Sequence, residues 1–183
     1  MTSPAAVFLD RDGVLNRAIV RNGKPYPPAN IDELEIVPDA APALSRLRGA
    51  GYLLIVATNQ PDVGRGTTAK AVVERINERL RAILPLDAVE MCIHDNADQC
   101  SCRKPMPGML LQAAERFGID LSRSYMIGDR WRDIEAGKAA GCRTALIGQG
   151  YAEGPKSLPD AIVATLTEAV DWILNEAERT MRA

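Results

Sequence analysis

The sequence predicts an α/β protein built on one doubly wound parallel sheet with helices on both faces, and three observations lead there. Short apolar runs alternate with helix-spaced patterns along most of the chain, the alternation that produces parallel sheets. Runs such as Val7-Phe8-Leu9, Tyr52 to Ala57 and Tyr125 to Ile127 are continuously apolar, as strands covered on both sides must be. A length of 183 residues suits one domain, which at that size buries roughly 70% of its unfolded surface.

Taken in order, Val7-Phe8-Leu9 reads as a strand that stops at Asp10. Residues 11–38 lack periodicity and carry Gly23, Pro25, Pro27 and Pro28, so they are expected to form a loop, with Leu34 to Ile36 a candidate short strand. Pro42, Leu44 and Leu47, with Gly49 and Gly51 behind them, mark a helix. Tyr52 to Ala57 is the second strand, ending at Thr58. Thr67 or Thr68 is placed to cap a helix whose apolar positions are Val72, Ile76, Leu80 and Ile83. Val89 to Ile93 is a strand, Pro107 opens a helix that Gly118 stops, and Tyr125 to Ile127 is a strand leading to Gly128-Asp129 and a helix to Ala140. Thr144 to Ile147 is the last clear strand. Residues 148–160 read as a loop, and Ile162, Leu166, Ala169, Ile173 and Ala177 as one stripe of a final helix.

Between Asp10 and Thr58, and between Thr58 and Lys104, a loop, a helix and a strand fill the interval. The expected architecture is therefore a single Rossmann-like domain over 1–183, with no separate cap domain and a small zinc-bound loop at 92–102. A formal net charge of −2 gives no broad basic surface for nucleic acid or anionic membrane. The N-terminus has no basic and long apolar leader pattern, and the longest apolar run is far short of the roughly 20 residues of a membrane span. A cytoplasmic monomer is expected.

Asp10, Thr58 and Asp129 each follow an apolar strand directly, and ligands of open parallel sheets bind at the carboxyl ends of strands. In Asp10-Arg11-Asp12-Gly13 two carboxylates lie two residues apart at such an end. A carboxylate can attack phosphorus and split one hard displacement into two easier ones. Nucleophile and phosphate are both anionic, so a bridging cation is needed, and Mg²⁺ prefers carboxylate, phosphate and water oxygens. Asp129 is the obvious second carboxylate; Asp133, one helical turn on, is a further candidate ligand or a partner of one. Asp12 is placed to protonate a leaving alkoxide and then to deprotonate water. Alone, Asp-x-Asp-Gly also fits a turn or a calcium loop.

Four segments in order change that balance: Asp10-Arg11-Asp12-Gly13, Thr58-Asn59-Gln60, Lys104-Pro105, and Gly128-Asp129 with Asp133. Over residues 7–147 the chain resembles the haloacid dehalogenase superfamily of phosphatases. The resemblance implies Asp10 as nucleophile, Asp12 as general acid and base, and Mg²⁺ held by Asp10, Asp129 and the main-chain oxygen of Asp12. An acid at position 12 implies phosphomonoester hydrolysis, as opposed to phosphonate or P-type ATPase chemistry. Thr58 then offers a hydroxyl to a phosphate oxygen, Asn59 and Gln60 are substrate-binding candidates, and Lys104 supplies positive charge to the phosphoryl group.

Cys92, Cys100 and Cys102 fall within eleven residues of one another, with His94, the sole histidine, among them. Three thiolates and one imidazole complete the closed tetrahedral set of structural zinc, while Cys142 reads as an inert core residue. Arg103 and Lys104 follow Cys102 directly, so a metal there would brace two cations that must meet phosphate. The Cys-x-His and Cys-x-Cys pairs running into Arg103-Lys104-Pro105, with Gly64-Arg65-Gly66, resemble the heptose-1,7-bisphosphate 7-phosphatases and the related histidinol-phosphate phosphatases. The short spacer between His94 and Cys100 is like the latter, and residues 17–26 are expanded relative to the heptose-contacting loop. Arg65, Arg103, Arg130, Arg21 and Lys24 are candidates for a second phosphate, since arginine matches phosphate oxygens bidentately. The expected reaction is removal of the 7-phosphate from a heptose 1,7-bisphosphate. The alternatives are a histidinol-phosphate or broad small-phosphoester phosphatase, and an inactive zinc-braced binding protein, which the full set of catalytic groups opposes.

Overall fold

A computed structural model describes residues 3–21, 24–148 and 157–182. Its strands and helices are β1 (Ala6–Leu9), β2 (Ile19–Arg21), β3 (Lys24–Tyr26), α1 (Ala40–Gly49), β4 (Leu53–Asn59), α2 (Pro61–Gly64), α3 (Lys70–Ile83), β5 (Ala88–Cys92), α4 (Gly108–Phe117), β6 (Tyr125–Gly128), α5 (Trp131–Ala140), β7 (Arg143–Ile147), β8 (Ala161–Val163) and α6 (Leu166–Arg182). Six strands form one sheet in the order β5-β4-β1-β6-β7-β8, every pairing parallel. The chain winds from β1 out to β5, then returns beside β1 and winds the other way. The reversal falls between β1 and β6, where open α/β sheets place their ligands.

The period-2 alternation of each strand divides the interior into two cores. Val7, Leu9, Leu54, Val56 and Ile127 point to one face, beneath α1, α3 and α6. Ala6, Phe8, Ile55, Ala57 and Met126 point to the other, beneath α4 and α5. Both faces are covered, which is why the strand sequences are apolar without interruption. Fully burying one such Leu, Ile or Phe contributes about 1.5–3 kcal/mol. Cys142 belongs to the second core, where burial pushes its thiol up to about 12.

Several expectations are corrected. The final helix begins at Leu166, and Ile162 lies in β8, a sixth parallel strand, with 69% of its surface exposed. β8 is three residues long and has no period to read, but the Asp160 carboxylate anchors it by accepting from the Thr144 N–H (2.7 Å) and hydroxyl (2.9 Å). Neither Thr67 nor Thr68 caps α3, whose N-cap is Ala69 without a side-chain bond; both threonine N–H groups donate to the Asp62 carbonyl and close the end of α2. Along α3, Val73, Ile76, Asn77 and Leu80 are buried while Ile83 is exposed. The expected loop at 11–38 contains the antiparallel ribbon β2–β3 and a 3-10 turn at Ile31–Glu33, and Ile36 makes only an isolated bridge to Asn16. Gly23 and most of the loop expected at 148–160 (149–156) lie outside the described residues.

Candidate active site

β4, β1 and β6 are adjacent at the centre of the sheet, so their carboxyl ends bring Thr58, Asn59, Asp10 and Asp129 together. The Asp10 N–H donates to the Ile127 carbonyl at 2.9 Å, extending the β1–β6 ladder one residue past Leu9 and fixing the backbone of Asp10. The chain then turns through Gly13 at φ +97°. A Cβ there would overlap the Asp129 carboxylate, so only glycine lets the turn pass over that acid.

One buried chain of charges organises the centre. Lys104 Nζ lies 2.7 Å from Asp10 Oδ1 and 2.6 Å from Asp133 Oδ1, and all three residues are buried. The other oxygen of Asp133 accepts the Arg130 N–H at 3.0 Å. Both Asp133 oxygens are therefore engaged in holding Lys104 and the first turn of α5. Burial by itself would lower Lys104, but Asp10 and Asp133 hold its ammonium raised above the ordinary lysine value. Breaking one side of such a buried pair costs about 3–5 kcal/mol. The Lys104 backbone is also fixed: its N–H donates to Asn59 Oδ1 (3.0 Å), and Asn59 Nδ2 donates to its carbonyl (2.9 Å).

Asp129 behaves differently. It is buried, and neither carboxylate oxygen has a hydrogen-bond partner among the described residues. Burial, with Asp10 and Asp133 close by, pushes its carboxyl up to about 8. Burial likewise pushes Asp10 up to about 7 against the pull of Lys104. Asp10, Asp129 and Asp133 each offer an oxygen within 4.8 Å of the others. Two buried acids, one of them without any donor, fit a hard divalent cation with oxygen ligands.

Asp12 points at the same cavity and accepts from the Arg11 guanidinium (3.0 and 3.2 Å), Asn16 Nδ2 (3.0 Å) and Gln60 Nε2 (2.9 Å). Gln60 Nε2 also donates to Thr58 Oγ1 at 2.9 Å, and Thr58 is buried behind the site. Asn59 and Gln60, expected as substrate contacts, thus hold Lys104 and Asp12. Arg11 was not singled out in the sequence. It is fully buried and links Asp12 to Asn77 of α3 (2.9 Å); its place inside the Asp-x-Asp motif hid that role.

The cavity has a volume of about 240 Å³ and is lined by Asp10, Asp12, Lys104 and Asp133 below and by Pro25, Tyr26 and Pro27 of the β2–β3 ribbon and its exit. Arg65, Arg103 and Arg130 line it as expected, together with Arg132, which no motif in the sequence marks. Arg65 is tied to Asp95 (2.7 and 2.8 Å) and Asp62 (3.2 Å). Arg21 ends β2 away from the lining residues, and the side chain of Lys24 lies outside the described residues.

Beyond Lys104, the Sγ atoms of Cys92, Cys100 and Cys102 and Nδ1 of His94 converge, five of their six separations falling between 3.1 and 3.7 Å and all within 4.8 Å. A tetrahedron with Zn–S of about 2.3 Å and Zn–N of about 2.0 Å has edges of about 3.5–3.8 Å, so these four residues could hold zinc. Arg103 is fastened to this loop through Asn96 Oδ1 (2.9 Å) and the His94 carbonyl (3.2 Å).

A family model described as HAD-hydrolase-like matches residues 101–169. The chain is 38% identical over 165 residues to the D-glycero-beta-D-manno-heptose-1,7-bisphosphate 7-phosphatase of Pseudomonas aeruginosa, covering 86% of this chain and 90% of that protein. It is 34% identical to the enzyme of the same name from Escherichia coli K12, covering 94% and 90%. The crystal structure of D,D-heptose 1,7-bisphosphate phosphatase from B. bronchiseptica, complexed with magnesium and phosphate, superposes with a TM-score of 0.80 at 31% identity, over 94% of this chain and 99% of that one. With the strand-end acids and lysine in place, these likenesses identify the chain as a haloacid dehalogenase-like hydrolase, belonging to the group of phosphatases that the heptose-1,7-bisphosphate 7-phosphatases represent.

Proposed function

We propose that this protein is a magnesium-dependent phosphomonoesterase that removes the 7-phosphate of D-glycero-D-manno-heptose 1,7-bisphosphate by way of a phosphoryl group on Asp10. The observation that carries the reading is the contrast between two neighbouring acids: Asp10 accepts from Lys104 Nζ at 2.7 Å, while Asp129 has no donor among the described residues. In the first step an Asp10 oxygen forms a bond to phosphorus, the bond from phosphorus to the sugar oxygen breaks, and Asp12 gives its proton to the departing alkoxide. In the second, Asp12 takes a proton from water, the water oxygen bonds to phosphorus, and the bond to Asp10 breaks to release phosphate. Lys104 holds the phosphoryl oxygens and is itself kept in place by Asp133 and Asn59. Asp10, Asp129 and the Asp12 carbonyl would hold Mg²⁺, whose contribution when bound is to neutralise the two anions that must meet.

Cys92, His94, Cys100 and Cys102 would hold a structural zinc that braces Arg103 and Lys104. The donor set is closed, with no position left for a reacting water. The absence among the described residues of any helix long and apolar enough to cross a membrane accords with a cytoplasmic enzyme. The reading also includes a single domain acting as a monomer on a small sugar phosphate.

Phosphate release with Mg²⁺ tests the substrate. Heptose 1,7-bisphosphate, heptose 7-phosphate, histidinol phosphate and a nucleoside monophosphate are compared, and kcat/KM for the bisphosphate is expected to exceed the others by at least about 100-fold. Similar low rates on all four would reject the heptose assignment.

A further inference from the structure

The buried face of α3 is apolar except at one position. Val73, Ile76 and Leu80 are buried there, and so is Asn77. An amide at such a position costs free energy unless it is hydrogen-bonded. Its oxygen accepts from Arg11 Nη1 at 2.9 Å, and its nitrogen donates to Met91 Sδ at 3.7 Å. Arg11, itself fully buried, turns the rest of its fork to Asp12: Nε lies 3.2 Å from both carboxylate oxygens, and Nη2 lies 3.0 Å from Oδ2. Asp12, Arg11 and Asn77 thus form a polar line from the cavity into the core under α3. Replacing a buried charged set by apolar side chains is often neutral or stabilising. Stability alone therefore does not account for this line.

Asp12 is tied from three elements. Asn16 Nδ2, in the turn after β1, donates to Oδ1 at 3.0 Å, and Gln60 Nε2, at the end of β4, donates to Oδ2 at 2.9 Å. The third tether comes from α3 through Arg11. The plane of the guanidinium fork sets the tilt of the carboxylate it grips, and among the described residues Asn77 is the one side chain that holds the far nitrogen of that fork. We infer that Asn77, acting through Arg11, is a positioning residue that holds the Asp12 carboxyl at the angle from which it protonates the departing sugar oxygen. The inference rests on the phosphatase reading, in which Asp12 is the general acid, and not on the heptose identification. Asn77 does not line the cavity, and its side chain bonds to neither Asp10 nor Lys104. Its loss therefore weakens proton transfer while the attacking oxygen and the Lys104 charge stay in place. Proton transfer matters greatly to a departing alkoxide and little to a nitrophenolate, which leaves as a stable anion.

The test measures kcat/KM with Mg²⁺, which reads the reaction only as far as departure of the leaving group. Two alkyl esters, heptose 1,7-bisphosphate and fructose 1,6-bisphosphate, are compared with an aryl ester, p-nitrophenyl phosphate. Asp12→Asn, the reference, is expected to lower the alkyl values by about 100-fold more than the aryl value. Asn77→Leu keeps the volume and Asn77→Ala leaves a space, so either serves if the other does not fold. Each is expected to lower the alkyl values about tenfold and the aryl value no more than about twofold. Asn77→Asp keeps an oxygen facing Arg11 and is expected to restore most of the wild-type ratio. Ile76→Val loosens the same buried face of α3 and is expected to leave that ratio unchanged. Equal losses on both ester types in the Asn77 variants, or an equal shift of the ratio in Ile76→Val, would overturn the positioning role and leave the phosphatase reading intact. Wild-type turnover of the fructose ester without the heptose ester would remove the heptose reading and leave the inference to be judged on fructose. If wild type hydrolysed neither alkyl ester, or Asp12→Asn left the ratio unchanged, the general-acid assignment and the inference would fall together.

Discussion

The carboxylate centre and the cysteine–histidine loop both gather metal-binding side chains, and they sit on either side of Lys104, yet they are built by opposite means. Cys92, His94, Cys100 and Cys102 come from one short stretch, and their donor atoms all lie within 4.8 Å of one another as a closed set. Asp10, Asp129 and Asp133 come from two strand ends and a helix, brought together by the order of the sheet. One of these acids, Asp133, is saturated by Lys104 and Arg130 N–H, while another, Asp129, has no hydrogen-bond partner among the described residues. Soft ligands in a closed tetrahedron suit a metal that stays; hard ligands with open positions suit a metal that meets substrate. On the proposed reading the local cluster braces, and the distributed one reacts.

Single substitutions should separate the two regions. Asp10→Asn is expected to lower kcat by at least about 10⁴-fold with zinc content unchanged; retained turnover would move the nucleophile elsewhere. Asp133→Asn is expected to lower kcat by roughly 10²–10³-fold, because Lys104 loses its second anchor, again with zinc retained. If Asp133 did nothing for Lys104, kcat would scarcely change. Cys102→Ser is expected to abolish zinc binding, measured by metal analysis against about one zinc per chain in wild type. It should lower kcat by about 10–100-fold, because Arg103 and Lys104 would lose their brace without losing their charge. A zinc-free preparation with normal activity would remove the brace from the account.

A smaller effect follows from burial of the acids. Asp10 and Asp129 have carboxyls pushed up to about 7 and about 8 when folded, against about 4 in an unfolded chain. Folded protein without metal therefore binds more protons than unfolded protein across that window, so its stability is highest below about pH 4 in this respect and is lost as pH rises towards 8. Mg²⁺ added to a chelator-treated sample should raise Tm more at about pH 8 than at about pH 5. An equal rise at both would mean that the cation binds away from these acids.

Much of this was legible because the informative signals were local or periodic. The convergence of Cys92, His94, Cys100 and Cys102 was visible in their residue types and close clustering, and that of Asp10, Thr58 and Asp129 in their positions after apolar strands. What could not be read depended on tertiary approach. Arg11 reaches Asn77 across 66 residues, and Asn59 clamps the backbone of Lys104 across 45. β8 escaped because three residues carry no period, and Ile162 was placed in the following helix because it happens to fall four residues before Leu166. The β2–β3 ribbon escaped because Pro25 argues against a strand interior, although a two-stranded edge tolerates it.

The most direct measurement is to mix enzyme, Mg²⁺ and heptose 1,7-bisphosphate, quench with acid within milliseconds, and map the phosphorylated peptide by mass spectrometry. A phosphoryl group on the peptide containing Asp10, absent from Asp10→Asn, is the predicted result. Product formed in the burst with no adduct on Asp10, or an adduct on another acid, would contradict the account.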